Sequence, residues 1–178
     1  NLLPIVIFLV FIALVRLDYL FFIIIFFTPL SIQLIEYIPS SPIDFAIPTE
    51  PMIFGVMLIV IVKLIYEKSL DLRILNHPVT YVILFHLFWL FMTSITSTMS
   101  LVSFKFLLVR FWFIITFYFL AIYIFQKKEN ISTFIWAYSI SMMIVVIYTI
   151  NRHLAFGLFD KEAAHFVMGP FFRDHTSY

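Results

Sequence analysis

Residues 106–125 read FLLVRFWFIITFYFLAIYIF, a run in which only Arg110 and Thr116 are polar. A helix that crosses the hydrocarbon core of a bilayer needs about 20 mainly apolar residues, so this run predicts a transmembrane helix. The other apolar runs predict five further spans, at about 2–15, 19–38, 52–65, 79–93 and 131–150. We therefore predict an all-α, polytopic transmembrane bundle of about six spans, forming one transmembrane domain over residues 1–178.

The composition excludes several other classes of protein. Of the 178 residues, 63% are apolar and 12% are charged, whereas soluble domains are about half apolar and a quarter charged. The apolar runs are continuous, which excludes the alternating strands of a transmembrane β-barrel. The chain has no Cys, and it has no basic run that would bind nucleic acid. Because it begins with Asn1 and its first run is short, we expect a fragment of a larger membrane protein.

Two segments between or after the runs are predicted to lie on the exterior side of the membrane. The first is a proline-rich loop at 39–51, which contains Asp44 and Glu50 but no Lys or Arg. The second is a polar loop at 151–178. Positive charges concentrate in cytoplasmic loops of membrane proteins, and the short loops assigned to that side contain Arg16, Lys63, Lys68, Arg73, Lys127 and Lys128.

Arg110 is the ionisable residue that most needs an explanation. If the fifth span begins at Phe106, Arg110 lies four residues inside it and about 7 Å deeper than Lys105. One interpretation is that its side chain extends back to the membrane surface or pairs structurally. The other is an anion site, because Lys105 and two serine hydroxyls lie near the same face and Arg suits phosphate oxygens.

Single polar residues elsewhere are predicted to have structural roles. His86, in the middle of the fourth span, is expected to hydrogen-bond a neighbouring helix. Glu36 is expected to be solvated at the end of the second span. Glu50 is expected to stand near the positive N-terminus of the third helix.

The polar segment 151–178 is rich in charge, but its spacing does not predict a metal site. His153, His165 and His175 lie twelve and ten residues apart, which does not match the spacing of ligands on one helix. We therefore predict no metal. The segment is either a solvated loop or part of an exterior anion site, in which Arg152 and Arg173 would join Lys105 and Arg110.

Several short motifs occur along the chain in an order that resembles one family. Together they are similar to the O-antigen ligase and O-antigen polymerase family of polytopic membrane proteins, over its N-terminal half. The resemblance extends from about residue 28 onward. The residues that carry it are Ile47-Pro-Thr-Glu-Pro51, His77-Pro-Val-Thr80, Leu101-Val-Ser-Phe-Lys105 with Arg110, and the segment AAHFVMGPFFRDHTSY at 163–178.

This resemblance implies a glycosyltransferase at the periplasmic face of the bacterial inner membrane. Such enzymes transfer a glycan from an undecaprenyl-diphosphate carrier to a sugar or lipid A–core acceptor, without a cofactor or metal. On that basis the donor diphosphate would be bound by Lys105, Arg110, Arg152 and Arg173, and His165 and His175 would position it. The catalytic residues of the family would lie downstream of Tyr178, so the fragment alone is expected to be inactive.

Two other functions are compatible with the same residues. A transporter or flippase for a lipid-linked anionic substrate would use the same Arg and Lys side chains, but it needs a path open to both sides. A non-catalytic membrane subunit would instead use the polar segment 151–178 to dock protein partners.

Overall fold

The computed structural model of the chain describes residues 16–34, 37, 45–67, 72–157 and 160–172. These residues are mainly helical, with one short strand pair. In chain order the elements are α1 (Leu17–Phe27), β1 (Ile32–Gln33), β2 (Ala46–Ile47), α2 (Thr49–Glu67), α3 (Leu72–Leu75), α4 (Pro78–Thr96), α5 (Ser100–Ile114), a π-helical segment (Ile115–Leu120), α6 (Ala121–Ile124), α7 (Lys128–Leu154) and a 3₁₀ turn (Ala163–His165).

Within the described residues, four helical stretches are long and apolar enough to cross a membrane. They are Thr49–Tyr66, Pro78–Thr96, Ser100–Ile124 and Lys128–Leu154. Their length and composition indicate a multi-pass, all-α membrane protein, which confirms the predicted fold class in outline. The predicted number of about six spans is not confirmed.

The two remaining predicted spans account for this difference. The run at 2–15 lies outside the described residues. The run at 19–38 forms α1, which is 11 residues long and ends at Phe27, because Pro29 has no N–H with which to continue the helical hydrogen bonds. The chain then enters β1, which pairs antiparallel with β2 through Ile32 opposite Ile47 and Gln33 opposite Ala46.

Four of the helices extend beyond their predicted bounds, among them α7, which covers Lys128–Leu154 instead of 131–150. Helix α2 begins at Thr49 rather than Met52, so the end of the predicted proline-rich loop is helical; Pro51 is tolerated there because a first-turn N–H has no helical partner. The same start puts Glu50 in the first turn of α2, as predicted. Helix α4 continues to Thr96 and α5 begins at Ser100, which leaves a turn of three residues between them.

The chain divides into two compact units. The first unit contains Asn1–Met52 and Lys127–Tyr178, and its described core is the contact between α1 and α7. Ser141 and Val145 are fully buried on α7, and the Ser141 hydroxyl donates to the carbonyl of Phe26 on α1. Small side chains at such a contact let two membrane helices approach closely.

The second unit contains Ile53–Gln126, and its main feature is the hairpin of α4 and α5. His77 caps α4, since its Nδ1 accepts a hydrogen bond from the Val79 N–H at 3.3 Å. Thr80 is fully buried, and its hydroxyl donates to the Ile74 carbonyl at 2.5 Å. Because that hydroxyl has only one proton, its oxygen accepts the Tyr118 hydroxyl, which lies 2.7 Å away.

The long helices leave most of their apolar surface uncovered. Only 11% of the span Pro78–Thr96 and 17% of the span Lys128–Leu154 are buried inside the protein. Large apolar side chains such as Val82, Trp89 and Trp136 are more than half exposed. In a soluble protein such a surface would be an aggregation hazard, so it is best explained as the surface that contacts lipid.

Candidate functional site

A groove rich in hydroxyl groups lies at the turn between α4 and α5. Its volume is about 530 Å³, and it is lined by Leu90, Val102 and Phe106 together with five hydroxyl side chains, those of Thr93, Ser94, Ser97, Thr98 and Ser103. Hydroxyl groups donate and accept hydrogen bonds, so they suit a polar ligand at the edge of a membrane.

Hydrogen bonds between the groove residues hold the turn in shape. Ser97 Oγ accepts the Met99 N–H at 3.1 Å and the Ser103 hydroxyl at 2.8 Å. Ser94 is buried and donates to the Leu90 carbonyl at 2.7 Å. The hydroxyls of Thr93 and Thr98 are on exposed residues of the same groove. The floor of the groove is therefore fixed by internal bonds, while its rim contains the exposed hydroxyl residues Thr93 and Thr98.

A second groove on the same helical hairpin has a wholly apolar lining. Its volume is about 630 Å³, and its walls are Leu and Phe side chains, among them Leu84 and Phe91 of α4 and Phe104 and Leu108 of α5. Phe91 and Phe104 pack edge to face with ring centres 6.4 Å apart. Such a groove suits a hydrocarbon chain rather than a polar group.

Arg110 lies deeper in its helix than the sequence predicts. Since α5 begins at Ser100 rather than near Phe106, Arg110 is ten residues from its start, or about 15 Å along the axis. Its guanidinium carbon lies 5.3 Å from the centre of the Phe106 ring, and Phe106 lines the hydroxyl groove. The side chain therefore extends back toward the turn, as long side chains in helices do.

Lys105 does not share this position. Five residues separate it from Arg110, which corresponds to about 140° around an α-helix, so the two residues lie on different sides of α5. Of the described residues that line the two grooves, none is Lys105 or Arg110. Convergence of the two cations on one ligand stays a prediction.

Arg152 belongs to the first unit, where it has a structural contact. It lies in the last turn of α7, where a cation is favoured by the helix dipole. Its Nη1 donates to the carbonyl of Gly169, which ties the segment 160–172 to the end of the helix. The remaining N–H groups of the guanidinium can still donate to an anion.

The described part of the predicted polar loop packs against α7. Asn151–Leu154 belong to that helix, and the segment 160–172 buries Val167 and Met168. Tyr148 and Phe171 pack edge to face with ring centres 5.2 Å apart. Lys161, Glu162 and His165 remain exposed, so the segment combines a buried apolar side with a charged surface.

The structure describes only some of the other residues for which a role was predicted. Arg173, His175 and Glu36 lie outside the described residues. His86 is exposed on α4, and no described residue hydrogen-bonds to it, so the predicted contact with a neighbouring helix is not seen within the described ranges. Over the same ranges, no three His, Asp or Glu side chains cluster as metal ligands would.

Sequence reasoning missed the aromatic partner of Arg110. Phe106 precedes Arg110 by four residues, and side chains at that spacing are neighbours on a helix. This signal is present in the sequence, but the sequence-based interpretation considers only Lys105 and nearby serine hydroxyls as company for Arg110.

No protein-family model matches the chain, and no curated protein or solved structure shows significant similarity to it.

Proposed function

We propose that the chain is the N-terminal part of a membrane glycosyltransferase of the O-antigen ligase type. It would act in the bacterial inner membrane and transfer a glycan from an undecaprenyl-diphosphate carrier to a sugar or lipid A–core acceptor at the periplasmic face. The proposal rests on the motifs that resemble this family and on one observation at the hydroxyl groove.

That observation is the position of Arg110. It is a permanently charged side chain inside a candidate membrane span, stacked on a ring that lines the hydroxyl groove. An ionisable residue at such depth is expensive and marks a functional site by default. A guanidinium with five N–H donors and a rim of hydroxyl groups together suit the oxygens of a diphosphate.

The proposed role of Arg110 follows from the charge that develops during glycan transfer. When the glycan leaves its carrier, negative charge develops on the diphosphate. A fixed cation in a site shielded from water stabilises that charge more strongly in the transition state than in the ground state. Arg110 would supply this cation, the groove hydroxyls would orient the diphosphate, and the apolar groove of the same hairpin would accept the hydrocarbon of the carrier.

Substitution of Arg110 in the full-length protein tests the proposal. Arg110→Ala should abolish glycan transfer from an undecaprenyl-diphosphate donor in proteoliposomes, with normal membrane insertion. Arg110→Lys, which keeps the charge but loses the planar fork, should retain part of the activity. Lys127→Ala is the matched control, because it removes an exposed cation from the turn before α7. Normal transfer by Arg110→Ala would refute the proposal.

The proposed orientation has a separate test. The chain contains no Cys, so a single introduced Cys is its only thiol. Thr98→Cys, in the turn between α4 and α5, should react with an impermeant maleimide in spheroplasts with intact inner membranes. Gln126→Cys, before α7, should react only after the membrane is opened. The reverse pattern would place the groove on the cytoplasmic side and exclude a periplasmic reaction.

A transporter or flippase for a lipid-linked anion is the second candidate. The depth of Arg110, about 15 Å from the start of α5, favours it, because charged residues deep in a span also mark substrate pathways. A flippase would move a labelled lipid-linked glycan across proteoliposomes without an acceptor, whereas a transferase would require the acceptor and release the carrier diphosphate.

A further inference from the structure

Two buried polar groups in the second unit lack hydrogen-bond partners. They are the indole Nε1 of Trp112 and the hydroxyl of Thr116. Trp112 is 4% exposed and Thr116 is 0% exposed. Buried polar groups almost always have a partner, and each exception requires an explanation. Within a membrane the requirement is stricter, because lipid offers no substitute hydrogen bond.

Both residues belong to one helical stretch and are four residues apart. Trp112 is near the end of α5 and Thr116 is the second residue of the π-helical segment. Four residues bring two side chains to the same side of a helix. The Trp112 ring also packs edge to face on Phe54, with ring centres 5.5 Å apart, and this contact fixes the direction of the indole.

Thr116 differs from several other hydroxyls at the helices of the described residues. The hydroxyls of Thr28, Thr93 and Ser94 each donate to the carbonyl four residues earlier in the chain. Thr116 makes no such bond, although the Trp112 carbonyl lies four residues before it. That carbonyl accepts the Ile115 N–H instead, at the point where the α-helix passes into the π-helical segment. The missing bond therefore coincides with a change in the helix itself.

We infer that a single buried water molecule binds between Trp112 Nε1 and Thr116 Oγ1. An indole N–H only donates, so it needs an acceptor, and a hydroxyl both donates and accepts. Water can accept from Trp112 and exchange a hydrogen bond with Thr116, which satisfies both groups at once. Water that inserts into the hydrogen-bond ladder of a helix is also a recognised cause of local distortion, as π-bulges are. The site is separate from the hydroxyl groove and does not depend on the proposed function.

A spectroscopic experiment tests this without changing Trp112. Trp89 and Trp136 are exposed, so the full chain with Trp89→Phe and Trp136→Phe keeps Trp112 as its only tryptophan. Its ultraviolet resonance Raman spectrum contains an indole band that is sensitive to hydrogen bonding of the N–H. We expect this band at the hydrogen-bonded position. A band at the free N–H position would overturn the inference.

Substitution of Thr116 then identifies the partner. Thr116→Val should move the indole band toward the free position, because the water loses one of its two anchors, whereas Thr116→Ser should leave it unchanged. Thr133→Val is the control, since that hydroxyl bonds to its own helix at the Glu129 carbonyl. A hydrogen-bonded indole that is insensitive to Thr116→Val would show a partner other than the shared water and would also overturn the inference.

A thermodynamic cycle gives an independent check. If one water serves both groups, the effects of Trp112→Phe and Thr116→Val should not add. The double variant should lower the unfolding temperature by no more than the more destabilising of the two single variants, because it leaves neither group unpaired. Additive losses would contradict a shared water.

Discussion

The guanidinium of Arg110 lies over the ring of Phe106, 5.3 Å from the centre of that ring. Phe106 is one helical turn nearer the start of α5 than Arg110 is. A cation over an aromatic face is attracted by the quadrupole of the ring. The contact gives the charged group a defined position inside a membrane span, and the ring connects it to the hydroxyl groove.

Loss of the ring should therefore weaken the proposed transfer reaction. Phe106→Leu removes an interaction worth about 1 kcal/mol, so the catalytic efficiency of the full-length protein should fall roughly fivefold. Phe113→Leu is the matched control, because Phe113 is on the same helix, lines neither groove and contacts Phe117. Equal activity of the two variants would show that Phe106 does not position the cation.

The contact between α1 and α7 should not tolerate a larger residue at Ser141, which is fully buried. Ser141→Leu should lower the free energy of unfolding by about 1–3 kcal/mol through overpacking. Ser141→Ala should have a smaller effect, about 1 kcal/mol, because it removes only the bond to the Phe26 carbonyl. Thermal unfolding in detergent measures both changes. Ser139→Leu, on an exposed part of α7, should be neutral.

The hydroxyls of Thr80 and Tyr118 should be energetically coupled, since they lie 2.7 Å apart. A double-mutant cycle with Thr80→Val and Tyr118→Phe should give a coupling energy of about 1 kcal/mol. Tyr81→Phe provides the comparison, because its hydroxyl bonds to Asn76 at an exposed site. A coupling energy of zero would mean that the π-helical segment is not held to α4 by this bond.

The ion pair at the start of α1 should make stability depend weakly on pH. Arg16 donates to the Asp18 carboxylate, and this hydrogen bond lowers the pKa of Asp18 below its ordinary value. A carboxylate with a lowered folded-state pKa stabilises the protein above its unfolded pKa of about 3.9, and this contribution disappears as the pH falls through the folded-state value. Because the pair is largely exposed, the effect should be small.

Asp18→Asn should remove this pH dependence. The unfolding temperature of the variant in detergent should respond less to acidification below pH 5 than that of the parent protein. A parent protein whose unfolding temperature is unaffected across this range would contradict a folded-state role for the pair.

The positions of the long helices follow from the sequence, but their ends do not. The hydroxyl-rich residues 93–100 read as the end of a span because they are polar. In the structure Thr93 and Ser94 bond to carbonyls of their own helix, so they continue α4 instead of ending it. Helix α5 also begins earlier than predicted, at Ser100, and this changes the depth of Arg110.

Features that depend on contacts between distant residues could not be predicted. The bond from Ser141 to Phe26 joins residues 115 positions apart, and nothing in either local sequence identifies the partner. The π-helical segment Ile115–Leu120 is likewise apolar and helical in pattern, so its wider turn leaves no periodic signal. Groups such as Thr80 and Tyr118 are recognised only when the fold brings them together.

The three-residue turn between Thr96 and Ser100 has a consequence for biogenesis. Two span-length helices joined by only three residues cannot enter a bilayer independently. The connection is too short for one helix to insert while the other stays behind. They must insert as one hairpin, and in the proposed orientation the hydroxyl groups of the turn would cross the hydrocarbon layer as a single translocated unit. The internal hydrogen bonds of Ser94, Ser97 and Ser103 reduce the energy of that passage, because these groups arrive already paired.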